Sequence, residues 1–296
     1  MILGPTATGK SGLAIEAAKT LNGEIISADS MQVYRGMDIG TDKARPEDRR
    51  GVPHHLLDIV DPDEPWTVSD FIGRSNGLIK SILKRKKLPI IAGGTGLYLK
   101  SLLEGFSLPI AGPNQALRAR LEKLSAKSLR KKLVEADPEA AGKISENDRK
   151  RTIRALEVFE TTGSPISKLQ KRSSIEKEYK VIKIGLNMKR EKLYERINER
   201  VDSMIRKGLV DEVRDLASRG YGLRLTSMQA LGYKEIIGHL AGTDSLEGSI
   251  ELIKKRTRNF ARRQMTWFRR FSNVEWFDVT KGLDREAIIS HIRKNL

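Results

Sequence analysis

The residues best suited to chemistry lie at the start of the chain, where positions 4–11 match the pattern G-x-x-x-x-G-K-[ST]. Glycines let successive backbone N–H groups turn inward around an anion, and the N-terminus of the following helix adds positive potential. Lys10 supplies a cation for phosphate oxygens, and the Ser11 hydroxyl can ligate Mg²⁺. The sequence therefore predicts a loop that binds a phosphate or diphosphate through Gly4, Pro5, Thr6, Ala7, Thr8, Gly9, Lys10 and Ser11.

A loop of this kind normally follows a buried strand, and only Met1, Ile2 and Leu3 precede it. A typical strand has about five residues. We therefore expect further residues upstream of Met1.

An acidic residue closes the next apolar stretch, because residues 24–29 have the pattern of a short buried strand that ends in Asp29. In open α/β sheets, ligands bind at the carboxyl ends of the strands, so Asp29 should lie beside the phosphate loop. It is a candidate general base. An Asp before Ser is also a turn signal, and a turn-forming role for Asp29 is the alternative.

A further buried strand, residues 88–92, runs into a glycine-rich segment, residues 93–98. In motor and switch NTPases, an acid at such a strand end helps to hold Mg²⁺. Its absence weakens an ATPase interpretation, while the glycines allow a second stretch of backbone to approach the ligand. The adjacent His54 and His55 have no third ligand at a suitable spacing, which favours structural polar contacts over a metal site.

The composition points to a polyanionic partner. The chain has 296 residues and a formal net charge of +17, more than a globular enzyme of small anions needs. It has no cysteine, no membrane-spanning apolar run and no signal-peptide pattern, which fits a cytoplasmic protein without membrane attachment.

The pattern of elements predicts an α/β fold, a parallel-sheet core of the P-loop NTP hydrolase type with an inserted all-helical domain. Residues 1–112 form the first part of the core, 113–175 the insertion and 176–296 the second part of the core. Residues 108–114 resemble a linker, and the stretch after it is helical in pattern and rich in Lys and Arg. Within the insertion, residues 145–148 resemble a capping box that opens a helix ending at Gly163.

The last predicted helix is strongly basic. Eight Lys or Arg residues and no acid occur between Lys254 and Arg270, and aromatic residues recur at helical spacing. We expect the aromatic residues to face the core and the unbroken positive face to suit a phosphate backbone.

Three functions are compatible with these features. A small-molecule P-loop kinase explains the phosphate loop and Asp29 but neither the charge nor the basic insertion. A nucleic-acid NTPase explains loop and charge but lacks the acid at the strand end. A transferase that holds a diphosphate substrate in the loop and modifies an RNA base explains all of these features.

At the level of motifs, the chain resembles the tRNA dimethylallyltransferase, or IPP transferase, family. The matching motifs run in order along nearly the whole chain: Gly4-Pro5-Thr6-Ala7-x-Gly9-Lys10-Ser11, Asp29-Ser30-x-Gln32-x-Tyr34, Gly36-Met37-Asp38-Ile39-Gly40-Thr41, Gly93-Gly94-Thr95-Gly96-Leu97-Tyr98, Arg151-x-x-Arg154-Ala155-Leu156-Glu157, Gly232-Tyr233 and Arg262-Arg263-Gln264-x-Thr266-Trp267. Together these motifs are far more specific than the phosphate loop alone.

The resemblance implies transfer of a dimethylallyl group from dimethylallyl diphosphate to N6 of the adenosine immediately 3′ of the anticodon in tRNA, with diphosphate as the second product. It also implies a Mg²⁺ requirement and an inserted helical domain that grips the anticodon stem-loop. We further expect the protein to be a monomer. Some members carry Arg where this chain has Gln229, so a diphosphate contact from that position is not expected here.

Individual roles follow from matching positions. Asp29 resembles the base near N6, and Thr95 resembles a group near the reaction centre. From the chemistry of the phosphate loop, we expect Lys10 to stabilise the leaving diphosphate and Ser11 to ligate the metal. The positions that the resemblance assigns to tRNA contacts are Asp29, Ser30, Met31, Gln32, Thr95, Arg118, Lys150, Arg151, Thr152, Ile153 and Arg154.

Overall fold

The structure is a computed structural model, which describes residues 1–105, 114–169 and 174–296. The chain divides into two compact units, one made of Met1–Lys100 and Lys180–Leu296 and the other of Ser101–Tyr179. The predicted linker at 108–114, and the predicted boundary at 112 within it, lie outside the described residues except for Asn114.

The first unit is built on a six-stranded sheet with the strand order β3-β2-β4-β1-β5-β6, and every neighbouring pair is parallel. The predicted α/β core is therefore confirmed. The short β1 lies between β4 and β5, where Ile2 is level with Ala92 on one side and Ile184 on the other. The strands are β1 (Ile2–Leu3), β2 (Gly23–Ser27), β3 (His54–His55), β4 (Leu88–Gly93), β5 (Lys183–Asn187) and β6 (Val274–Asp278).

The helices follow in chain order, with α4 to α9 lying in the second unit. They are α1 (Lys10–Thr20), α2 (Val68–Lys84), α3 (Gly96–Glu104), α4 (Gln115–Glu122), α5 (Ala126–Ala136), α6 (Pro138–Lys143), α7 (Arg149–Thr162), α8 (Ile166–Leu169), α9 (Ile175–Glu178), α10 (Arg190–Arg206), α11 (Leu209–Ser218), α12 (Tyr233–Leu240), α13 (Leu246–Phe268) and α14 (Arg285–Asn295). Among the described residues, no helix is both long and apolar enough to cross a membrane.

The core of the first unit anchors both ends of the phosphate loop. Ile2 of β1, Leu13 of α1 and Ile184 of β5 are almost completely buried in one apolar cluster that also contains Ile288 of α14. Burying side chains of this size stabilises each element by about 1.5–3 kcal/mol per residue, so strand and helix are held rigidly on either side of the loop.

The two histidines make the polar contacts expected of structural residues. The Nδ1 of His54 lies 2.8 Å from the Val52 carbonyl oxygen, and the Nε2 of His55 lies 2.7 Å from a carboxylate oxygen of Glu24. Glu24 also accepts from Arg85 and pairs with Lys87. Burial would raise the pKa of Glu24, but hydrogen bonds from these partners lower it to about 2.

The second unit has its own apolar core, in which Leu133 of α5 packs with Leu121 of α4 and Leu156 of α7. The capping box predicted at Ser145 is wrong. Helix α7 begins after Asp148, whose side chain accepts the backbone N–H of Arg151 at 3.1 Å. It ends at Gly163, as predicted, because that residue adopts φ 69°, which glycine takes without strain.

Helix α13 contains most of the predicted basic stretch, but it is not the last helix as predicted, because α14 follows it. Helix α13 begins after Ser245, whose hydroxyl accepts the backbone N–H of Gly248, and ends at Phe268. Its aromatic residues do not all face the core. Phe268 is fully buried, whereas Phe260 and Trp267 are only partly buried.

Candidate active site

The phosphate loop joins β1 to α1, as predicted. Gly9 is the N-cap of α1 and has φ 89°, and Ala7 also has a positive φ of 66°. The hydroxyl of Thr8 donates to the Pro5 carbonyl at 2.8 Å, which braces the turn from within. This backbone aims the N-terminus of α1 at the space beside the loop, as anion binding requires.

Lys10 lies over this loop. Its Nζ donates to the Pro5 carbonyl at 2.7 Å, so the ammonium group is already folded back along the loop. Desolvation, followed by repulsion from the Arg200 guanidinium, lowers the pKa of Lys10 to about 7, although Asp29 and Asp42 oppose the shift. An anionic ligand would reverse this shift, because it favours the charged ammonium.

A cavity of about 360 Å³ opens beside the loop and brings together most of the predicted site residues of this unit. Strand ends and helix starts supply its walls, as expected for a parallel sheet. The predicted residues that line it are Thr6, Lys10, Ser11, Asp29, Ser30, Met31, Gln32 and Thr95.

Asp29 lies two residues beyond the end of β2 rather than within the strand. Its Oδ1 accepts the backbone N–H groups of Met31 at 2.9 Å and Gln32 at 3.3 Å, so it does shape the turn. Among the described residues, its Oδ2 has no hydrogen-bond partner. The turn-forming role and a role as proton acceptor are therefore compatible, because they use different oxygens.

Thr95 and Gln32 are held in place by their neighbours. The Thr95 hydroxyl accepts the backbone N–H of Ser30 at 3.0 Å, which places it next to the Asp29 turn. The Gln32 amide donates to the Thr41 carbonyl at 3.1 Å and accepts from the Ser27 hydroxyl at 3.2 Å. Both side chains are thus oriented before any ligand arrives.

Gly93, the last residue of β4, and Gly94, which follows it, make room for protein atoms as well as for a ligand. A Cβ on Gly93 would lie 2.2 Å from the Ala28 carbonyl oxygen, and a Cβ on Gly94 would lie 2.4 Å from the Gln264 amide nitrogen. That nitrogen donates to the Gly94 carbonyl at 2.9 Å. The sequence predicted that backbone would approach a ligand closely here, but these contacts are with Ala28, just after β2, and with Gln264 of α13.

Arg200 of α10 is a site residue that the sequence alone did not identify. Its Nη1 donates to the Thr6 hydroxyl at 2.7 Å and lies 3.3 Å from Asp42 Oδ2, and the residue lines the cavity with Lys10. Nothing in the local sequence separates Arg200 from the other charges of α10, since only the packing of α10 brings it to the phosphate loop.

A second cavity, of about 740 Å³, adjoins the phosphate loop. Five residues line both cavities and form the boundary between them, namely Lys10, Ser11, Asp42, Arg200 and Met204. The second cavity is rich in cationic side chains, namely Lys10, Lys43, Arg45, Arg50, Arg196, Arg200, Lys207 and Arg285.

The residues present fit a Mg²⁺ ion that arrives with a phosphate ligand. Among the residues that the structure describes, no three His, Cys, Asp or Glu side chains are grouped to hold a metal. Mg²⁺ commonly binds through one or two protein ligands and takes the rest from substrate phosphates and water. The Ser11 hydroxyl at the start of α1 is placed for this, and Asp29 and Asp42 share its cavity.

The basic positions of the second unit centre on a buried carboxylate. Glu157, with 0% of its side chain exposed, accepts from Arg118 Nε at 2.9 Å and Nη2 at 3.0 Å, and from Arg154 Nη1 at 2.7 Å. Burial would raise the pKa of Glu157, but the hydrogen bonds from Arg118 and Arg154 outweigh it and hold the pKa below its ordinary value. Both arginines remain partly exposed in this unit.

The other predicted RNA contacts on α7 differ in exposure. Lys150 and Arg151 are exposed, and Arg151 pairs with Asp148 at 3.2 Å. Thr152 and Ile153 are buried, and the Thr152 hydroxyl donates to the Asp148 carbonyl. Both side chains are buried within the protein, and their predicted contacts with tRNA stay predictions.

The positive face of α13 is partly used within the protein, contrary to expectation. Lys254 pairs with Asp202 at 2.8 Å, Arg256 with the buried Glu235 at 2.5 Å, and Arg258 donates to Asn198 at 2.6 Å. The exposed cations toward its C-terminal end are Arg262, Arg263, Arg269 and Arg270.

Comparison with known proteins identifies the family of this chain. The family model described as IPP transferase matches residues 32–271, and the one described as isopentenyl transferase matches residues 1–58. The chain is 51% identical to the tRNA dimethylallyltransferase of Caldanaerobacter subterraneus subsp. tengcongensis, over 100% of this chain and 95% of that protein. It is 47% identical to that of Pelotomaculum thermopropionicum, over 99% of this chain and 95% of the relative.

Solved structures give the same result. The tRNA isopentenylpyrophosphate transferase of Bacillus halodurans is 44% identical, with a TM-score of 0.75, over 99% of this chain and 95% of the other. A eukaryotic dimethylallyltransferase, described as acting on tRNA, is 30% identical, with a TM-score of 0.84, over 99% of this chain and 79% of the other. Since the matches span nearly the whole length of the sequence, this chain belongs to the IPP transferase family.

Proposed function

We propose that this chain transfers a dimethylallyl group from dimethylallyl diphosphate to N6 of the adenosine immediately 3′ of the anticodon in tRNA. The observation that carries the proposal is the shared cavity, in which the phosphate loop and Arg200 lie with the carboxylate of Asp29. An anion-binding wall and a proton acceptor in one space are what an allylic diphosphate and an amino nucleophile require.

The phosphate loop and its two cations act on the leaving group. As the bond between the allylic carbon and the diphosphate oxygen breaks, negative charge accumulates on the diphosphate. Backbone N–H groups at the start of α1, together with Lys10 and Arg200, stabilise that charge because they are already in place. Mg²⁺, which Ser11 would hold together with the diphosphate, would supply further charge neutralisation.

Asp29 acts on the nucleophile. The N6 lone pair of adenine is delocalised into the ring, so N6 is a weak nucleophile until it loses a proton. Asp29 Oδ2 accepts that proton as N6 bonds to the allylic carbon, while Oδ1 stays with the Met31 and Gln32 N–H groups. The adenine must leave its stack to enter the cavity, which is cheaper in an anticodon loop than in a duplex.

The charge distribution supports an RNA substrate. The net charge of +17 and the partly exposed Arg118, Arg151 and Arg154 suit a phosphate backbone. A small-molecule kinase, the alternative considered from the sequence, is not favoured, because the family and its relatives are tRNA-modifying transferases.

The test is a transfer assay with tRNA, Mg²⁺ and dimethylallyl diphosphate labelled in the dimethylallyl group, followed by digestion to nucleosides. We expect the label in one modified adenosine and one diphosphate released per transfer. A tRNA in which that adenosine is replaced by guanosine is the matched control and should stay unlabelled. Transfer of the γ-phosphate of ATP to a small molecule, without labelled nucleoside, would contradict the proposal.

A further inference from the structure

The boundary between the two cavities contains an ion pair that the proposed chemistry does not need. Arg200 Nη1 lies 3.3 Å from Asp42 Oδ2, and the same nitrogen donates to the Thr6 hydroxyl of the phosphate loop at 2.7 Å. Both charged residues line both cavities. A carboxylate thus stands beside one of the two cations that face the anion-binding loop.

The position of this carboxylate is fixed by its backbone. Asp42 has φ 52°, its N–H donates to the Ile39 carbonyl at 3.1 Å, and its own carbonyl accepts from the Gln32 amide at 3.4 Å. The preceding loop is held by Glu212, whose carboxylate accepts the N–H groups of Asp38 at 3.0 Å, Ile39 at 2.7 Å and Gly40 at 3.1 Å. The loop therefore keeps the negatively charged carboxylate of Asp42 beside the site.

A negative charge at this point has two effects on an incoming diphosphate. It pairs with the Arg200 guanidinium, which is then less available to the diphosphate. It also repels the diphosphate directly, because both are negatively charged. At short range in a partly shielded site, two charges interact more strongly than they do in bulk water. Half of the Asp42 side chain is exposed, so water and salt reduce the effect without abolishing it.

We propose that Asp42 is an internal competitor for Arg200 that sets the affinity of the phosphate loop for diphosphate. In the free protein the carboxylate pairs with the guanidinium, and a bound diphosphate replaces it as the partner of Arg200. Asp42 thereby weakens binding of both the diphosphate substrate and the diphosphate product, which favours product release. The inference rests on the proposed function in assigning the diphosphate to this loop.

The test measures binding of inorganic diphosphate by calorimetry, without RNA, to the parent protein and to Asp42→Asn. Asn removes the charge, keeps the size and tolerates a positive φ, so the turn is preserved. We expect Asp42→Asn to bind diphosphate at least about threefold more tightly, both with Mg²⁺ and with a chelator. Asp63→Asn removes the same charge at an exposed position outside both cavities, so it should leave the affinity unchanged.

A second pair of variants isolates the competition for the guanidinium. In an Arg200→Gln background, Asp42→Asn should gain much less affinity, because no guanidinium is left to release. An equal gain in both backgrounds would overturn the competition. Unchanged affinity, or binding that weakens only when Mg²⁺ is present, would also overturn it, and the latter would mark Asp42 as a metal ligand.

The outcome is separable from that of the transfer assay. If diphosphate binding responds as expected while no labelled nucleoside forms, the proposed function fails and the Asp42–Arg200 competition stands. If transfer occurs but Asp42→Asn binds diphosphate like the parent protein, only the competition fails. A thermal melt of each variant verifies that the affinities refer to folded protein.

Discussion

The side-chain oxygen of Gln264 accepts the backbone N–H of Thr6 at 2.9 Å, across 258 positions of sequence. The nitrogen of the same amide donates to the Gly94 carbonyl at 2.9 Å. One buried amide of α13 therefore connects the phosphate loop to the glycine-rich loop after β4. Gln264 is a positioning residue, because it keeps the two walls of the cavity at a fixed separation.

Replacement of Gln264 should disturb the phosphate loop more than the fold. Gln264→Glu keeps the acceptor for Thr6 but sets an oxygen against the Gly94 carbonyl, and Gln264→Met removes both hydrogen bonds. A lost buried hydrogen bond costs about 1–3 kcal/mol, so we expect kcat/KM for the diphosphate substrate to fall about tenfold or more. Steady-state kinetics at saturating tRNA measure this. Thr266→Val, at an exposed position of the same helix, is the control. If Thr266→Val lowered kcat/KM as much as the Gln264 variants do, the positioning role of Gln264 would be contradicted.

Lys10 predicts a pH dependence of diphosphate binding. Its pKa of about 7 in the free protein means that it loses its charge as the pH rises through 7, so binding above that pH must take up a proton. The affinity should be greatest below pH 7 and fall by up to about tenfold per pH unit above it. Calorimetry in buffers of different ionisation enthalpy measures the proton uptake. Arginine stays charged over this pH range, so in Lys10→Arg the fall in diphosphate affinity above pH 7 should be lost. If the parent protein and Lys10→Arg had the same pH profile, titration of Lys10 would not be its cause.

Lys10→Ala should cripple transfer and leave tRNA affinity largely intact, because Lys10 lies in the phosphate loop and not in the basic second unit. The measurements are transfer at saturating diphosphate substrate and tRNA binding by filter retention. Near-normal turnover at saturation would exclude a role for Lys10 in stabilising the leaving group.

Asp29→Asn should separate proton transfer from turn formation. The Asn side-chain oxygen can still accept from Met31 and Gln32, so the turn and the melting temperature should be preserved. Loss of a general base lowers rates by about two to four orders of magnitude. The measurement is the single-turnover rate with tRNA already bound. If the folded variant transferred the group within a few-fold of the parent rate, Asp29 would act only in forming the turn and not as the base.

Salt dependence should report the RNA contacts of the second unit. Arg151 is exposed, and its ion-pair partner Asp148 is about one-third exposed, so Arg151→Gln should lower the slope of log affinity against log salt by about 0.7–0.9 without loss of stability. Arg154→Gln should lower the slope similarly but also destabilise the protein, because Glu157 is buried and keeps its charge. Arg293→Gln, on the exposed side of α14, is the charge-matched control. A flat salt dependence would remove Arg151 and Arg154 from the interface.

Local features of this protein could be predicted from the sequence, because the forces behind them act between near neighbours. The phosphate loop at residues 4–11 and the end of α7 at Gly163 depend on glycine conformations. The position of Asp29 beside the loop also followed, since the carboxyl ends of parallel strands meet at one edge of a sheet.

The tertiary structure alone decided which distant groups complete the site. Arg200 reaches Thr6, and Gln264 joins Thr6 to Gly94, only because α10 and α13 pack against each other and against the phosphate loop. The sharing of Glu157 between Arg118 and Arg154 depends in the same way on the packing of α4 against α7. A hydrogen bond or an ion pair forms over about 3–4 Å of space whatever the sequence separation, so local sequence patterns cannot specify such partners.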